Sequence, residues 1–293
     1  MTISFPPSLS GLAAWATENG VDGAEARVRF AQYGVLRAIA ASNVLGPALV
    51  LKGGNALDFV WQPNRSTQDL DFSVDATGLA RPLDTDVLAR ELASSLVIAG
   101  RALDINFAVH GVRQQPPGSD KTFVTYEARV GYALADEYRL RVRMTHGETS
   151  PHVVPLDVSL NEPICADQRV SLGDAVELRV STLEDIVAEK LRALLQQPIR
   201  NRQRRQDLLD IAVIVRSGTE LDLAFVAAFL LEKAAARDVP VSRPAFTDPE
   251  VTDRARIDYA ELEATTRRSF VPFDEALTTL HELVARLAIP DEA

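Results

Sequence analysis

The chain has 293 residues, 46% of them hydrophobic and 25% charged, an ordinary globular composition for one large or two modest domains. Its net charge of -10 excludes a protein that coats nucleic acid through a general positive field, though not one with a local basic groove. The single cysteine, Cys165, excludes an internal disulfide or a cysteine-rich zinc site, suits a reducing cytoplasm, and reads as a small buried hydrophobe.

The opening "MTISFPPSLS" has early prolines and no basic region, so no signal peptide is expected. Residues 24–43 carry Val28, Ala31, Val35, Leu36 and Ile39 at helical spacing and predict a packed helix. The uncharged run 38–51 contains Asn43, Gly46 and Pro47 and falls short of the roughly 20 residues of a membrane span. A cytoplasmic protein without a membrane partner is therefore expected. "PALVLKGG" reads as a short buried strand ending in glycines, and "NALDFVW" as a helical start capped by Asn55. In "DLDFSV", Asp69, Asp71 and Ser73 alternate with Leu70, Phe72 and Val74, the two-residue period of a strand. A helix is predicted over 83–98. Further strands are predicted in "LDINFAV", "TFVTYEARV", "YRLRVRM" and "VVPLDVSL", with "RQQPPGSDK" as a turn. From Thr182 the period is helical, through "LEDIVAEKLRALL", "RQDLLDIAVIV" and "LDLAFVAAFLLEKAA" to a last helix over 273–287. The expected organisation is an α/β part over 1–180 and a helical part over 181–293, with the seam at 178–182.

A strand, a glycine pair and a helix present backbone N–H groups to an anion, so Gly53 and Gly54 are candidates for phosphate binding. Asp69 and Asp71, at i and i+2 on one strand, put two carboxylates on one face; their repulsion is relieved by a divalent cation. Magnesium suits carboxylate oxygens together with substrate phosphates. A third carboxylate on a neighbouring strand completes such a site, and both Asp157 in "PLDVSL" and Asp104 in "LDINF" have the required alternation. In the loop between, Arg65 is placed to hold a phosphate and Ser66 to donate to one.

In the helical part, Leu183, Ile186, Val187, Leu191, Leu194 and Leu195 form one stripe, and Lys190 falls inside it. A buried ammonium needs an anion; Asp207 and Asp210, on one face of the next helix, are its candidate partners. Two readings stay open: a structural ion pair, or a lysine reaching a triphosphate while an aspartate holds it. "IRNRQRR" supplies Arg200, Arg202, Arg204 and Arg205, the best local candidates for a phosphate backbone in an acidic chain.

Taken together, "KGGNAL", "RSTQDLDF", "PLDVSL", "AEKLRAL" and "RRQDLLD" resemble, in order, the AbiEii-type nucleotidyltransferases of the DNA polymerase β superfamily. That group includes the MenT-like toxins of type IV toxin–antitoxin systems. The resemblance runs from about residue 51 to 214. It implies an α+β, polymerase β-like mixed sheet with flanking helices, followed by a helical part that contributes Lys190 and Asp207 or Asp210. It implies Gly53 and Gly54 as the triphosphate turn, and Asp69, Asp71 and Asp157 as ligands of Mg2+ or Mn2+, favouring Asp157 over Asp104. It also implies an NTP substrate, a tRNA 3′ end as acceptor and a cognate antitoxin. Asn55 stands where the family often has serine or threonine, so a hydroxyl contact to phosphate is either lost or replaced by its amide. Transfer to a small-molecule or protein hydroxyl is the alternative, and a non-catalytic nucleotide-binding module is the reading from another class.

Overall fold

The computed structural model describes residues 5–6, 8–61, 64, 67–118, 123–266 and 268–292. They form two compact units, one of Met1–Val60, Thr67–Glu162 and Gln168–Val180, the other of Trp61–Ser66, Pro163–Asp167 and Ser181–Ala293.

The first unit is built on a mixed sheet. A short helix α1 (Leu12–Asn19) precedes α2 (Gly23–Ala41), whose first turn is capped by Asp22 accepting from the Glu25 N–H at 2.7 Å. Strand β1 (Leu49–Lys52) runs directly into α3 (Gly53–Ala56), which continues as a π-helical turn, Leu57–Trp61. There follow β2 (Leu70–Val74), α4 (Thr85–Leu103), β3 (Ile105–Gln115), β4 (Thr125–Leu134), α5 (Tyr138–Thr145), β5 (Val153–Ser159), β6 (Asp167–Ser171) and β7 (Glu177–Ser181). The strand order is β3-β4-β5-β2-β1-β7-β6. Strand β1 is antiparallel to β2 and parallel to β7, β2 is parallel to β5, and β3, β4 and β5 are antiparallel neighbours. Because side chains alternate across a strand, one face gathers Leu51, Phe72, Leu70, Leu156, Val158, Ala128 and Val130, all essentially inaccessible. Helices α2 and α4 pack on the sheet and on each other. The other face carries the polar residues of the same strands.

Three sequence expectations change. "YRLRVRM" is α5 rather than a strand. Arginine at every second position imitates a strand, but Leu140 and Met144 are one helical turn apart and the less exposed members of the helix. Arg141 ties the helix down, donating to the Asn106 side chain at 3.1 Å and pairing with Asp104 at 2.8 Å. Asp104 is thereby removed as a rival carboxylate, since it sits at the left-handed C-cap of α4 with φ 53. The hairpin β6–β7, turning at Gly173 and Asp174, was not anticipated; it is short, and few residues in it are apolar. The predicted "RQQPPGSDK" turn begins later than expected because β3 runs on to Gln115, and residues 119–122 lie outside the described residues.

The second unit is helical: α6 (Leu183–Leu195), α7 (Arg205–Arg216), α8 (Leu223–Ala235), α9 (Pro249–Arg256) and α10 (Phe273–Arg286). Thr182 caps α6 by accepting from the Asp185 N–H. The predicted apolar stripe of α6 is buried along its length. Lys233 donates to the Pro163 carbonyl at 2.8 Å and pairs with Asp185 at 3.0 Å; Asp185 also accepts from the Cys165 N–H. Burial pushes the Cys165 thiol up to about 12, so it stays protonated. Among the described residues no helix is long and apolar enough to cross a membrane.

Strand β3 contains a bulge between Val109 and Gly111, and the His110 ring lies over Gly131, where any Cβ would collide with it. Its Nε2 accepts from the Ser150 N–H at 3.1 Å, so the ring fits only when neutral. Burial, with Arg129 adding, holds its pKa below the ordinary histidine value. As pH falls the unfolded chain takes up this proton first, so the contribution of His110 is present above about pH 6.5 and lost below it. His110→Gln keeps an acceptor without a titration. Its urea midpoint should decline less than the wild type's between about pH 6.5 and 5, and parallel curves over that window would refute the assignment.

Candidate active site

The open face of the sheet is organised by register. Lys52 on β1 is the cross-strand partner of Asp71 on β2, Asp71 of Asp157 on β5, Asp157 of Glu127 on β4, and Glu127 of Arg113 on β3. Five charged residues thus form one row across the sheet, three carboxylates flanked by two cations. Neighbouring positions in such a row are ~5 Å apart, close enough for like charges to repel. The Asp157 carboxyl is accordingly held above the usual carboxylate range, by burial first and then by the charges of Asp69 and Glu127, with Lys52 and Arg113 opposing.

At one end of the row, Lys52 is ion-paired with Glu162 and donates to the Ser159 hydroxyl at 3.1 Å; Ser73, on the same face, donates to Glu162 at 3.3 Å. The next residue, Gly53, has φ 68, and a Cβ there would lie 2.7 Å from Asp71 Oδ2. Glycine is required twice over, by the left-handed backbone and by the carboxylate against it. With Leu57 N–H donating back to the Gly53 and Gly54 carbonyls, the first amides of α3 point out of the helix beside that carboxylate. Gly53 thus lies against Asp71, which stands opposite Asp157.

Asp69 immediately precedes β2 and is exposed, and its charge acts on Asp157. Among the described residues no three acidic, histidine or cysteine side chains are gathered closely enough to hold a metal. The donor set still suits a hard divalent cation, because magnesium commonly takes one or two carboxylates and fills its remaining positions with water and phosphate oxygens. Asn55 is neither a helix cap nor a phosphate contact: it lies inside α3, fully buried. Its amide donates to the Asp69 carbonyl and accepts from Arg29 at 3.2 Å. Arg29, itself buried, pairs with Asp58 and lies 4.5 Å from the Phe59 ring centre. Gln32 donates to the carbonyls of Thr67 and Gln68 at 3.2 and 2.9 Å. Helix α2 thus grips both the glycine turn and the approach to β2. Arg65 and Ser66 lie outside the described residues.

Within the helical unit, Lys190 is buried and pairs with both predicted partners, Asp207 Oδ1 at 2.9 Å and Asp210 Oδ2 at 2.7 Å. Arg204 lies 3.7 Å from Asp207 and balances the charge. Asp210 is deeply buried, whereas the Asp207 side chain is 13% exposed. Arg205 is engaged by Asp258 and Glu261; Arg200 and Arg202 are exposed. Lys52, Glu127 and Arg113 were missed in the sequence, since a single strand carries no mark of which residue stands opposite it.

A mixed sheet with flanking helices, followed by a helical region, thus carries a glycine turn beside register-paired aspartates. The family model described as "Nucleotidyl transferase AbiEii toxin, Type IV TA system" matches residues 34–279; the chain belongs to this family. MenT4, a nucleotidyltransferase toxin from Mycobacterium tuberculosis H37Rv, has a similar fold, with a TM-score of 0.53 and 16% identity over 94% of this chain and 89% of that one. JHP933 from Helicobacter pylori aligns with a TM-score of 0.48 and 16% identity, covering 87% of each chain. A putative nucleotidyltransferase from H. pylori gives 0.44 and 16%, covering 87% of this chain and 92% of that one. No curated protein matches the sequence.

Two outcomes are expected. Asp157→Asn removes a charge crowded by its neighbours, so in metal-free buffer at pH 7 it should raise the thermal midpoint by about 2–4 °C; a lowered midpoint would contradict the repulsion. Asp210→Ala leaves the Lys190 ammonium with its deeper partner gone and should cost about 3–5 kcal/mol in chemical denaturation, with Lys190→Met costing less.

Proposed function

We propose that the protein transfers a nucleotide from an NTP to the 3′ hydroxyl of a tRNA, with Mg2+ or Mn2+ as cofactor, in the cytoplasm, as the toxin that its antitoxin partner counters. The observation that carries this reading is the adjacency of Asp71, Asp157 and the Gly53 turn. The α3 amides, beginning at Gly53 and Gly54, receive the triphosphate oxygens. Asp71 and Asp157, with the exposed Asp69 beside them, would hold the divalent ion, which would supply charge neutralisation at the phosphates and polarise the attacking oxygen. The acceptor hydroxyl lies against Asp157; a carboxylate oxygen there takes its proton as the oxygen attacks the α-phosphorus and pyrophosphate departs. Lys190 and Asp207 serve as functional residues of the helical unit, as the resemblance implies; Asp207 is the more accessible of the two aspartates and Asp210 the structural one.

The test is incubation of the purified protein with each labelled NTP, divalent metal and a tRNA transcript. Label should appear at the tRNA 3′ end, disappear with EDTA, and fall by about two orders of magnitude or more in Asp71→Asn, the scale of losing several kcal/mol of charge stabilisation. Asp207→Asn should lower transfer with little loss of stability. Label on a protein or small molecule instead would overturn the acceptor, and undiminished transfer by Asp71→Asn would overturn the site.

A further inference from the structure

The charged row does not end at the carboxylates. Beyond Asp157 it continues through Glu127 to Arg113, whose Nε and Nη2 contact one Glu127 oxygen at 2.7 and 2.5 Å. The Arg113 side chain is nevertheless 68% exposed. A guanidinium has five N–H donors in a fixed fork, so fixing one edge on Glu127 leaves the other edge aimed outward and ordered. Two residues along β4 on the same face stands Arg129, also exposed. Its register partner is Gly111, which has no side chain to cover it. Among the described residues no carboxylate lies within ion-pair distance of Arg129. In register terms the Arg113 position is two strand spacings, roughly 10 Å, from Asp157, and the two arginine positions are diagonal neighbours about 7–8 Å apart.

We propose that Arg113 and Arg129 form a phosphodiester-binding strip that receives a polynucleotide acceptor on the open face of the sheet, with its terminal hydroxyl toward Asp157. This rests on the nucleotidyl-transfer reading above and adds the acceptor's path across the sheet. The polarity of the row orients the acceptor. Backbone phosphates are repelled from Glu127, Asp157 and Asp71 and drawn to the β3–β4 side, so the uncharged hydroxyl is the end that approaches the carboxylates. A free sugar or a protein hydroxyl has no successive phosphates with which to use two such cations. Arg204 and Arg205, at the start of α7, are poorer candidates, since they are committed to Asp207, Asp258 and Glu261.

The experiment measures fluorescence anisotropy of a labelled tRNA transcript, and of single-stranded DNA of equal length, against the wild type, Arg113→Gln, Arg129→Gln and the double variant, without NTP and over a salt series. Each substitution should weaken RNA binding about tenfold and lower the log–log salt slope by about 1, with Arg129→Lys recovering most of the loss. In transfer assays Arg129→Gln should raise the acceptor KM while leaving the NTP KM and kcat in place. Wild-type affinity and slope in the double variant, or no binding of either nucleic acid by the wild type, would overturn the strip. Equal losses for RNA and DNA would support recognition through phosphates alone. If the wild type binds RNA through these arginines yet transfers no nucleotide to any acceptor, the strip stands and the transfer reading falls.

Discussion

Asp71 and Asp157 face one another across the parallel pairing of β2 and β5, and the protein's central problem is to hold these two negative groups side by side. An isolated pair of this kind would lose stability to repulsion or take up a proton. Here the sheet spreads the cost. Lys52 and Arg113 bracket the acidic residues in the same row, and the opposite face of the same strands is a dry apolar layer sealed by α2 and α4. The layer makes the strand alternation rigid, since a slip of one residue would bury the carboxylates and expose Phe72 and Leu156.

The buried polar network behind the glycine turn follows from the same need. Arg29, Asp58 and Asn55 carry no visible chemistry of their own. Their effect is to anchor α3 and the segment leading into β2 to α2, so that the backbone at Gly53 stays against the Asp71 carboxylate. Buried polar groups are costly unless satisfied, and a site whose reacting groups come from different strands gains most from such anchoring. The helical unit repeats the pattern on a smaller scale, with Lys190 balanced between Asp207 and Asp210 and Arg204 at the rim.

The open face therefore carries a gradient of charge. It runs from Lys52 and the glycine turn, through the carboxylates, to arginines near the edge strand β3. In the proposed reaction such a gradient would separate three tasks that a single positive patch would confuse: gathering the phosphates of a nucleotide, attracting a divalent ion, and steering a second polyanion. On that proposal a chain of net charge -10 would act on an anionic partner through a narrow basic strip, because at physiological salt the field of distant surface charges is screened within about 8 Å.

Elements whose signals are local were legible in the amino-acid order alone. The glycine pair after a strand, the alternation of Val154 to Leu160 around Asp157, and the stripe that places Lys190 inside α6 are all properties of consecutive residues, and each has its physical meaning before any fold exists. The helix at Tyr138–Thr145 defeated the same method because arginines at every second position suit both periods until Arg141 finds Asn106 and Asp104. Which residue stands opposite which emerges only in the assembled sheet. The row from Lys52 to Arg113, the burial of Asn55, and the loss of Asp104 as a site residue depend on strand order and register, which are set by cooperative packing of residues 26 to 107 positions apart and are written in no single segment.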